Sequence, residues 1–535
     1  MQTIGFKNFR RFEELTPLEL AGITFFVGGN NAGKSTVVKA MMLMLDNIAR
    51  NSIYSNEASS VFQLGSEGGK NVHIGTFGRA LHKPYPEVQE IEFESQVRGL
   101  TFRYVIGGDV ESQRLSADVH IFEVQDKEQK WLIRVDYYEG VINFISPESV
   151  INGVSNKSIQ SRLRSGVGLS IDIQSMLDQI DIELKSLREK AESADEIKRV
   201  VFERDIKQRE AQRKALQAQI GLSSDQKKDE VMINEELHFT KEDILNEPRI
   251  LVLLSKLFEN KREEAKELLN NTDSSNTRVK CETLIKQYDG IEGWLSYLRQ
   301  QIRSLAYKAM MEYIPSHSVA QRIFFSREDR NDYMSDVIGK FQAQNYTDAS
   351  EQRHFVQKWM NNFGIGLDFK IESIQGEAFT VTVTNMQGED VPLADLGMGS
   401  IQIILLLLKL ATLMSAGPVS RLVIVEEPEQ NIHPKLQSKL AELFEYVHRE
   451  CGIRFLIETH SEYMIRKTQA MIATGAVQFE NNPFRVYYFP ENGTPYDMVY
   501  QQSGMFENKF DEGFFDEASK QQFSVIKKAR EIQHV

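Results

Sequence analysis

Eight residues, Gly28-Gly29-Asn30-Asn31-Ala32-Gly33-Lys34-Ser35, leave this chain few architectures to choose from. They match G-x-x-x-x-G-K-[ST] without a departure. They follow an apolar run, Ile23 to Val27, that reads as a buried strand, and they open an apolar helix, Ser35 to Leu45. Glycines let successive backbone N–H groups curl inward around phosphate oxygens. The helix start behind them adds about half a positive charge. Lys34 brings a point charge for the outer phosphates, and the Ser35 hydroxyl brings an oxygen for a divalent cation. Gly28, Asn30, Asn31, Ala32, Gly33, Lys34, Ser35 and Thr36 are therefore the expected phosphate-binding residues.

Such a loop belongs to a parallel α/β sheet, and the end of the chain supplies its other strands. After Gly397 the pattern alternates: helix 401–414, strand 421–426, helix 434–449, strand 453–458, helix 461–472 and strand 485–489. The strand LVIV ends in Glu426-Glu427-Pro428-Glu429. Carboxylates at that edge sit where open α/β sheets hold their ligand. Glu426 is expected in the Mg²⁺ shell, and Glu427 is expected to orient the attacking water. The next strand ends in Ile457-Glu458-Thr459-His460. An imidazole there, His460, can donate to a terminal phosphate oxygen. His433, before Pro434, reads as a structural or interface residue rather than a catalyst. Before the apolar helix stands a second glycine turn, Gly397-Met398-Gly399-Ser400. Read alone it is an ordinary helix start with Ser400 as N-cap. As a second anion site it has a use if two copies meet and each caps the other's nucleotide.

Composition narrows the class. A chain of 535 residues with 41% hydrophobic and 26% charged residues buries a sizeable core. Its net charge of −13 excludes a general nucleic-acid coat, though not a local basic patch. Two distant cysteines, Cys281 and Cys451, exclude a disulfide scaffold and fit a reducing cytoplasm. The opening MQTIGFKNFRRF lacks the apolar run of a signal peptide, and the longest apolar stretch, 401–414, falls short of the about 20 residues of a membrane span.

Taken in order, these motifs resemble an ABC-type ATPase of the branch shared by SMC-like, RecF-like and OLD-like proteins. The order is P-loop, long insertion, signature turn, Walker B, D-loop region and switch histidine. IGFKNFRRFEEL also resembles that branch's first strand, and EEPEQNIHP and IETHSEYMI resemble PtuA-type ATPases of the Septu and retron defence systems. The resemblance implies ATP and Mg²⁺ as ligands, ATP hydrolysis that the two departures named below are expected to slow, and a homodimer closed around two nucleotides. It also implies an HNH-type nuclease partner and, in retrons, a reverse transcriptase with its RNA–DNA hybrid. Two positions depart from the pattern: Glu426 replaces the usual Walker B aspartate, and Gly397 replaces the signature serine. The Q-loop glutamine has no clear place, with Gln63 the one candidate. OLD-like proteins add a nuclease domain with an Asp-x-Asp pair. None follows residue 490 here, and Asp511-Glu512 and Asp516-Glu517 read as surface charge beside packed Phe514 and Phe515.

The expected architecture is thus a P-loop α/β head with an antiparallel β subdomain and a long helical insertion. Residues 1–150 form the first half of the head, with short alternating strands between about 88 and 146. Residues 151–350 form the insertion, helical over 172–220 and again through roughly 235–313, a candidate short coiled-coil hairpin. Residues 351–490 return to the head, with a hairpin around Gln375-Gly376, and 491–535 form an extension. The basic run 198–214 is either a solvated helix face or a phosphate-contacting one. Three rivals remain open on sequence alone: an ATP-bound scaffold with little turnover, an SMC- or RecF-like DNA-repair ATPase, and a transporter ATPase.

Overall fold

The computed structural model describes residues 2–50, 60–65, 74–97, 99–125, 131–147, 232–240, 250–272, 274–308, 311–316, 319–329, 332–414, 421–511, 514–517 and 520–526, with isolated positions at 188, 206, 210 and 243. The expectations for 172–220 fall almost wholly outside these residues. Of the basic run 198–214, Glu210 is described, and it pairs with Arg188 at 2.7 Å.

A six-stranded sheet lies at the centre. Its strands are β1 (Ile23–Gly28), β2 (Met311–Ile314), β3 (Leu422–Glu426), β4 (Arg454–Thr459), β5 (Phe484–Phe489) and β6 (Tyr496–Asp497), in the spatial order β2-β3-β4-β1-β5-β6. All neighbours run parallel except β6, which is antiparallel to β5. The sequence of β1 explains its position. ITFFVG is buried at every residue, as a strand must be when both faces of a parallel sheet are covered.

Side chains alternate between the two faces, and each face has its own core. Phe26, Ile424, Leu456, Tyr487 and Phe489 join one cluster. It includes helix α1 (Lys34–Arg50), an antiparallel sheet, and the inner faces of helices α2 (Ile250–Asn270) and α3 (Ser275–Lys308). Phe25, Val27, Val423, Val425 and Ile457 join the other. That cluster includes α4 (Tyr333–Ala343), α5 (Glu351–Phe363), α6 (Met398–Met414), α7 (Pro434–Cys451) and α8 (Glu462–Ala473). Helix α6 is apolar nearly all round because it is enclosed nearly all round. Its one central charge, Lys409, is buried and paired with Glu312 at 2.7 Å. Among the described residues no helix is long and apolar enough to cross a membrane.

The antiparallel sheet runs 232–238, 141–147, 131–136, 116–125, 100–107, 90–97, 3–9 and 12–19 in spatial order, with 61–63 paired to 116–118. Strand 90–97 alternates half-buried and buried residues as its sequence alternates. The hairpin at Gln375-Gly376 forms as expected, both residues at positive φ between Asp368–Ile374 and Ala378–Thr384.

Two elements correct the sequence expectations. Residues 232–238, assigned at their later end to helix, form a strand because MINEELH pairs along its length with 141–147. Residues 311–314, also assigned to helix, form the edge strand β2 beside β3. The boundaries drawn at 150 and 350 therefore cut through both large sheets. The helices α2 and α3 do pack against each other, and α3 packs against α1.

Phe93 sits at the centre of the first core, with no exposure. It stacks on Phe62 with centroids 5.3 Å apart and meets Phe9 edge-on at 5.0 Å. Phe93→Ala is expected to cost about 3–5 kcal/mol, read from urea unfolding of the full chain. A loss under 1 kcal/mol would contradict this packing.

Candidate functional site

The site forms where β1, β4 and β3 end side by side. Gly33 holds φ at +104°, and a Cβ there would lie 2.5 Å from the Phe12 ring, so only glycine lets the loop close onto the first hairpin. Arg11 of that hairpin donates to the carbonyl of Asn31 and, at 2.7 Å, to that of Glu491, tying the loop to the segment after β5. Asn31 also takes a positive φ, of 61°. Lys34 is 3% exposed. Its ammonium donates to the carbonyls of Gly28 at 2.9 Å and Gly29 at 2.8 Å, so it stands at the mouth of the loop. Burial holds its pKa below the ordinary lysine value, against the pull of Glu458, Glu427 and Glu429.

Lys34 also lies 3.3 Å from His460 Nε2. An ammonium has only protons to give, so Nε2 accepts, and a neutral imidazole then carries its own proton on Nδ1. Burial and the neighbouring Lys34 both lower the pKa of His460, which favours this neutral form. His460 Nε2 is 3.6 Å from Glu427 Oε1.

Glu427 leaves the β3 line at φ +42°, a costly conformation for a non-glycine residue. Its N–H donates to the Glu458 carbonyl at 2.7 Å, and its other carboxylate oxygen accepts from Gln430. Glu426 is half-buried and hydrogen-bonded by the phenol of Tyr313 on β2. Burial first, and then Glu426, push that phenol's pKa well up.

Two acids of the cluster had no role in the sequence reading. Glu458, 5% exposed, accepts the Ser35 hydroxyl at 2.8 and 3.0 Å on its two oxygens. Burial pushes its pKa up to about 7. Ser35 and Lys34 hold it down, while Glu426 and Glu427 push it further up. Glu429 accepts the His460 N–H at 2.7 Å and is itself raised by burial. A signal for both was available: each acid stands two residues from a named motif residue, Glu458 from His460 and Glu429 from Glu427, at or just past the end of a strand.

The second glycine turn makes its contacts elsewhere. Gly399 is pinned against the loop after Glu427, where a Cβ would lie 2.3 Å from the Asn431 carbonyl, whereas one on Gly397 would meet nothing within 4 Å. Gln402 donates to the carbonyls of Pro428 at 3.3 Å and Glu427 at 3.5 Å. Ser400 is not the N-cap. The helix begins at Met398, and the Ser400 N–H bonds the Gly397 carbonyl at 2.9 Å. The cap of α7 is His433, accepting from Lys435 N–H at 3.3 Å, and the cap of α8 is Ser461, accepting from Met464 N–H at 3.2 Å. Gln63 lies on the strand 61–63, its backbone fastened on both sides by the Asn47 amide. Asp511 is bonded by Tyr488 and Asp516 pairs with Lys520 at 3.1 Å, beside the packed Phe514 and Phe515.

With this geometry in place, comparison with known proteins gives the class. The chain belongs to the AAA ATPase domain family, whose profile matches residues 1–465. No curated protein matches the sequence. Similar solved structures include an Smc head domain with an extended coiled coil, bound to the C-terminal domain of ScpA, from Pyrococcus furiosus. It is 10% identical, covers 99% of each chain and has a TM-score of 0.32. The Smc head domain with a coiled coil and joint from Pyrococcus yayanosii is 10% identical over 94% of this chain and 97% of its own, with a TM-score of 0.33. The SMC head domain from Thermotoga maritima is 7% identical over 94% and 98%, with a TM-score of 0.31. The functional reading rests on this chain's own residues.

Two predictions follow from the contacts. Between pH 4.5 and about 7 the folded chain keeps a proton on Glu458 that the unfolded chain has released, so stability falls as pH rises through that window. Relative to Glu458→Gln, the wild type should lose about 3 kcal/mol between pH 4.5 and 8, read by denaturant unfolding at both pH values. Parallel pH dependences would remove the burial penalty. Gly399→Ala should destabilise by about 1–3 kcal/mol while Gly397→Ala changes thermal stability little; equal melting points for the two would contradict the close approach to Asn431.

Proposed function

We propose that this chain binds and hydrolyses ATP at the edge of the central sheet, and that two copies close head-to-tail around two nucleotides. The observation that carries the reading is the convergence of Lys34, Ser35, Glu427 and His460 on one strand edge from segments more than 390 residues apart in sequence.

In this reading Gly28, Asn30, Asn31, Ala32, Gly33 and Thr36 frame the triphosphate with backbone N–H groups. Lys34 turns its ammonium from the loop carbonyls to the outer phosphates. That movement releases His460 Nε2, and an imidazole that then takes a proton there donates to the terminal phosphate oxygen. Glu427 accepts a proton from the attacking water. Its left-handed backbone turns the carboxylate off the strand axis, and Gln430 fixes one of its oxygens so that the other is presented. Glu429 holds the His460 backbone, so the imidazole and the base keep a set separation. The hydroxyl and carboxylate oxygens of Ser35 and Glu426 fit a hard divalent cation. Mg²⁺ bound there would offset charge on the phosphates.

Gly397, Gly399 and Ser400 serve the second copy's nucleotide rather than their own. The support is that the turn is anchored to the loop carrying Glu427, so a nucleotide touching it would be felt at the base. The EEPEQNIHP and IETHSEYMI motifs extend the proposal to biology. The chain acts as the sensor subunit of an anti-phage complex in the cytoplasm, and it governs a separately encoded HNH-type nuclease, in retron contexts beside a reverse transcriptase with its RNA–DNA hybrid. Co-purification from the native operon tests this; recovery of DNA-repair partners instead would favour the SMC- or RecF-like alternative.

Lys34→Ala should abolish ATP binding by calorimetry. Glu427→Gln should retain ATP while steady-state phosphate release falls at least about 100-fold. Equal turnover by Glu427→Gln and wild type would refute the base assignment. Wild type that binds ATP tightly but releases no phosphate would leave the scaffold reading in its place.

A further inference from the structure

We propose that Glu458, rather than Glu426, is the acid that positions Ser35 for the divalent cation, so that the metal arm of this site is built on the strand next to the phosphate loop. The inference rests on the nucleotide-binding reading above and deepens it.

The hydroxyl itself gives the first argument. It owns one proton and two lone pairs. Both oxygens of Glu458 lie within 3.0 Å of Ser35 Oγ, so the proton is committed to that carboxylate. A hydroxyl whose proton is held on one side offers its lone pairs to the other, which is the orientation a cation requires. An outer acceptor of this kind fixes the ligand that touches the metal.

Strand order gives the second argument. Glu458 pairs in register with Phe26 of β1, and Glu426 pairs in register with Glu458. Glu458 is therefore one strand spacing, about 4.8 Å, from the strand that feeds the loop, and Glu426 is two. Glu426 also already has a partner, the Tyr313 phenol on the far side. Energetics adds a third. A carboxylate 5% exposed, with one lysine and a shared hydroxyl for company, is costly to hold in that place. A dication brought by the nucleotide is a compensating charge of the right sign. The Glu458 carbonyl also accepts the Glu427 N–H at 2.7 Å, so the same residue would join the metal arm to the proposed base.

The test uses the full chain with ATP and Mn²⁺ as the probe. Free Mn²⁺ is followed by electron paramagnetic resonance, and the affinity of a fluorescent ATP analogue is measured with Mg²⁺ and again in EDTA. Glu458→Gln and Ser35→Ala should each weaken Mn²⁺ retention on the protein–ATP complex by about 10–100-fold. The double variant should be no worse than the weaker single, because both remove one interaction. Affinity in EDTA should stay within about threefold of wild type in both, and Glu426→Gln should weaken Mn²⁺ retention less than Glu458→Gln does. Glu458→Asp, which keeps the charge with a shorter reach, should fall between wild type and Glu458→Gln; it stands in should Glu458→Gln not fold. The inference is overturned if Glu458→Gln holds Mn²⁺ as wild type does, or if Glu426→Gln loses it instead. Wild type that binds no ATP under either condition ends the nucleotide reading itself. Wild type that binds while the Glu458 variants are indistinguishable from it ends only the assignment of Glu458.

Discussion

Strand β1 has both faces enclosed. Phe25 and Val27 point into one apolar cluster and Phe26 into the other, while β4 and β5 flank it in register from Ile23 onward. This is the constraint from which the rest follows. The chain leaves this strand at Gly28 directly into the loop that turns on Gly33. The loop's shape is therefore inherited from the core, and so is the position of Lys34 at its mouth.

The same enclosure sets the chemistry. Water is partly displaced from the strand ends, which strengthens the charge interactions of the most buried groups, Lys34 and Glu458. Lysine is pushed down, two glutamates are pushed up, and the imidazole is kept neutral, each by burial before any neighbour acts. Groups displaced from their ordinary pKa values and gathered in one cleft make that cleft a candidate functional site. Here each displaced group also has a named partner: Lys34 with His460, Ser35 with Glu458, His460 with Glu429.

Much of this was legible in the residues. The phosphate loop announces itself because its chemistry is local: eight consecutive positions carry the turn, the charge and the hydroxyl. The strand-and-helix alternation after Gly397 was readable because each element is buried enough for its apolar pattern to dominate; β4 and α8 lie within one residue of expectation. What was hidden is non-local. MINEELH has no strong strand pattern of its own and becomes a strand because 141–147 offers it a ladder. Residues 311–314 follow a long helix without a glycine or proline to mark the change, and their membership of the central sheet depends on β3, about 110 residues later. Glu458 was passed over for the histidine two positions on. Its importance lies in which strand stands beside β1, and sequence order does not reveal spatial order.

That spatial order carries a consequence for how the molecule is made. The first strand of the central sheet leaves the ribosome well before either neighbour: residues 454–459 and 484–489 are translated more than 420 residues later. At roughly 5–20 residues per second, a hydrophobic segment of newborn protein waits tens of seconds for its companions. Meanwhile the antiparallel hairpins that lie nearer in sequence have time to assemble and shelter it. The guanidinium of Arg11 grips the backbone at Asn31 and again at Glu491, so the second of these bonds can form only once the two distant stretches of polypeptide meet.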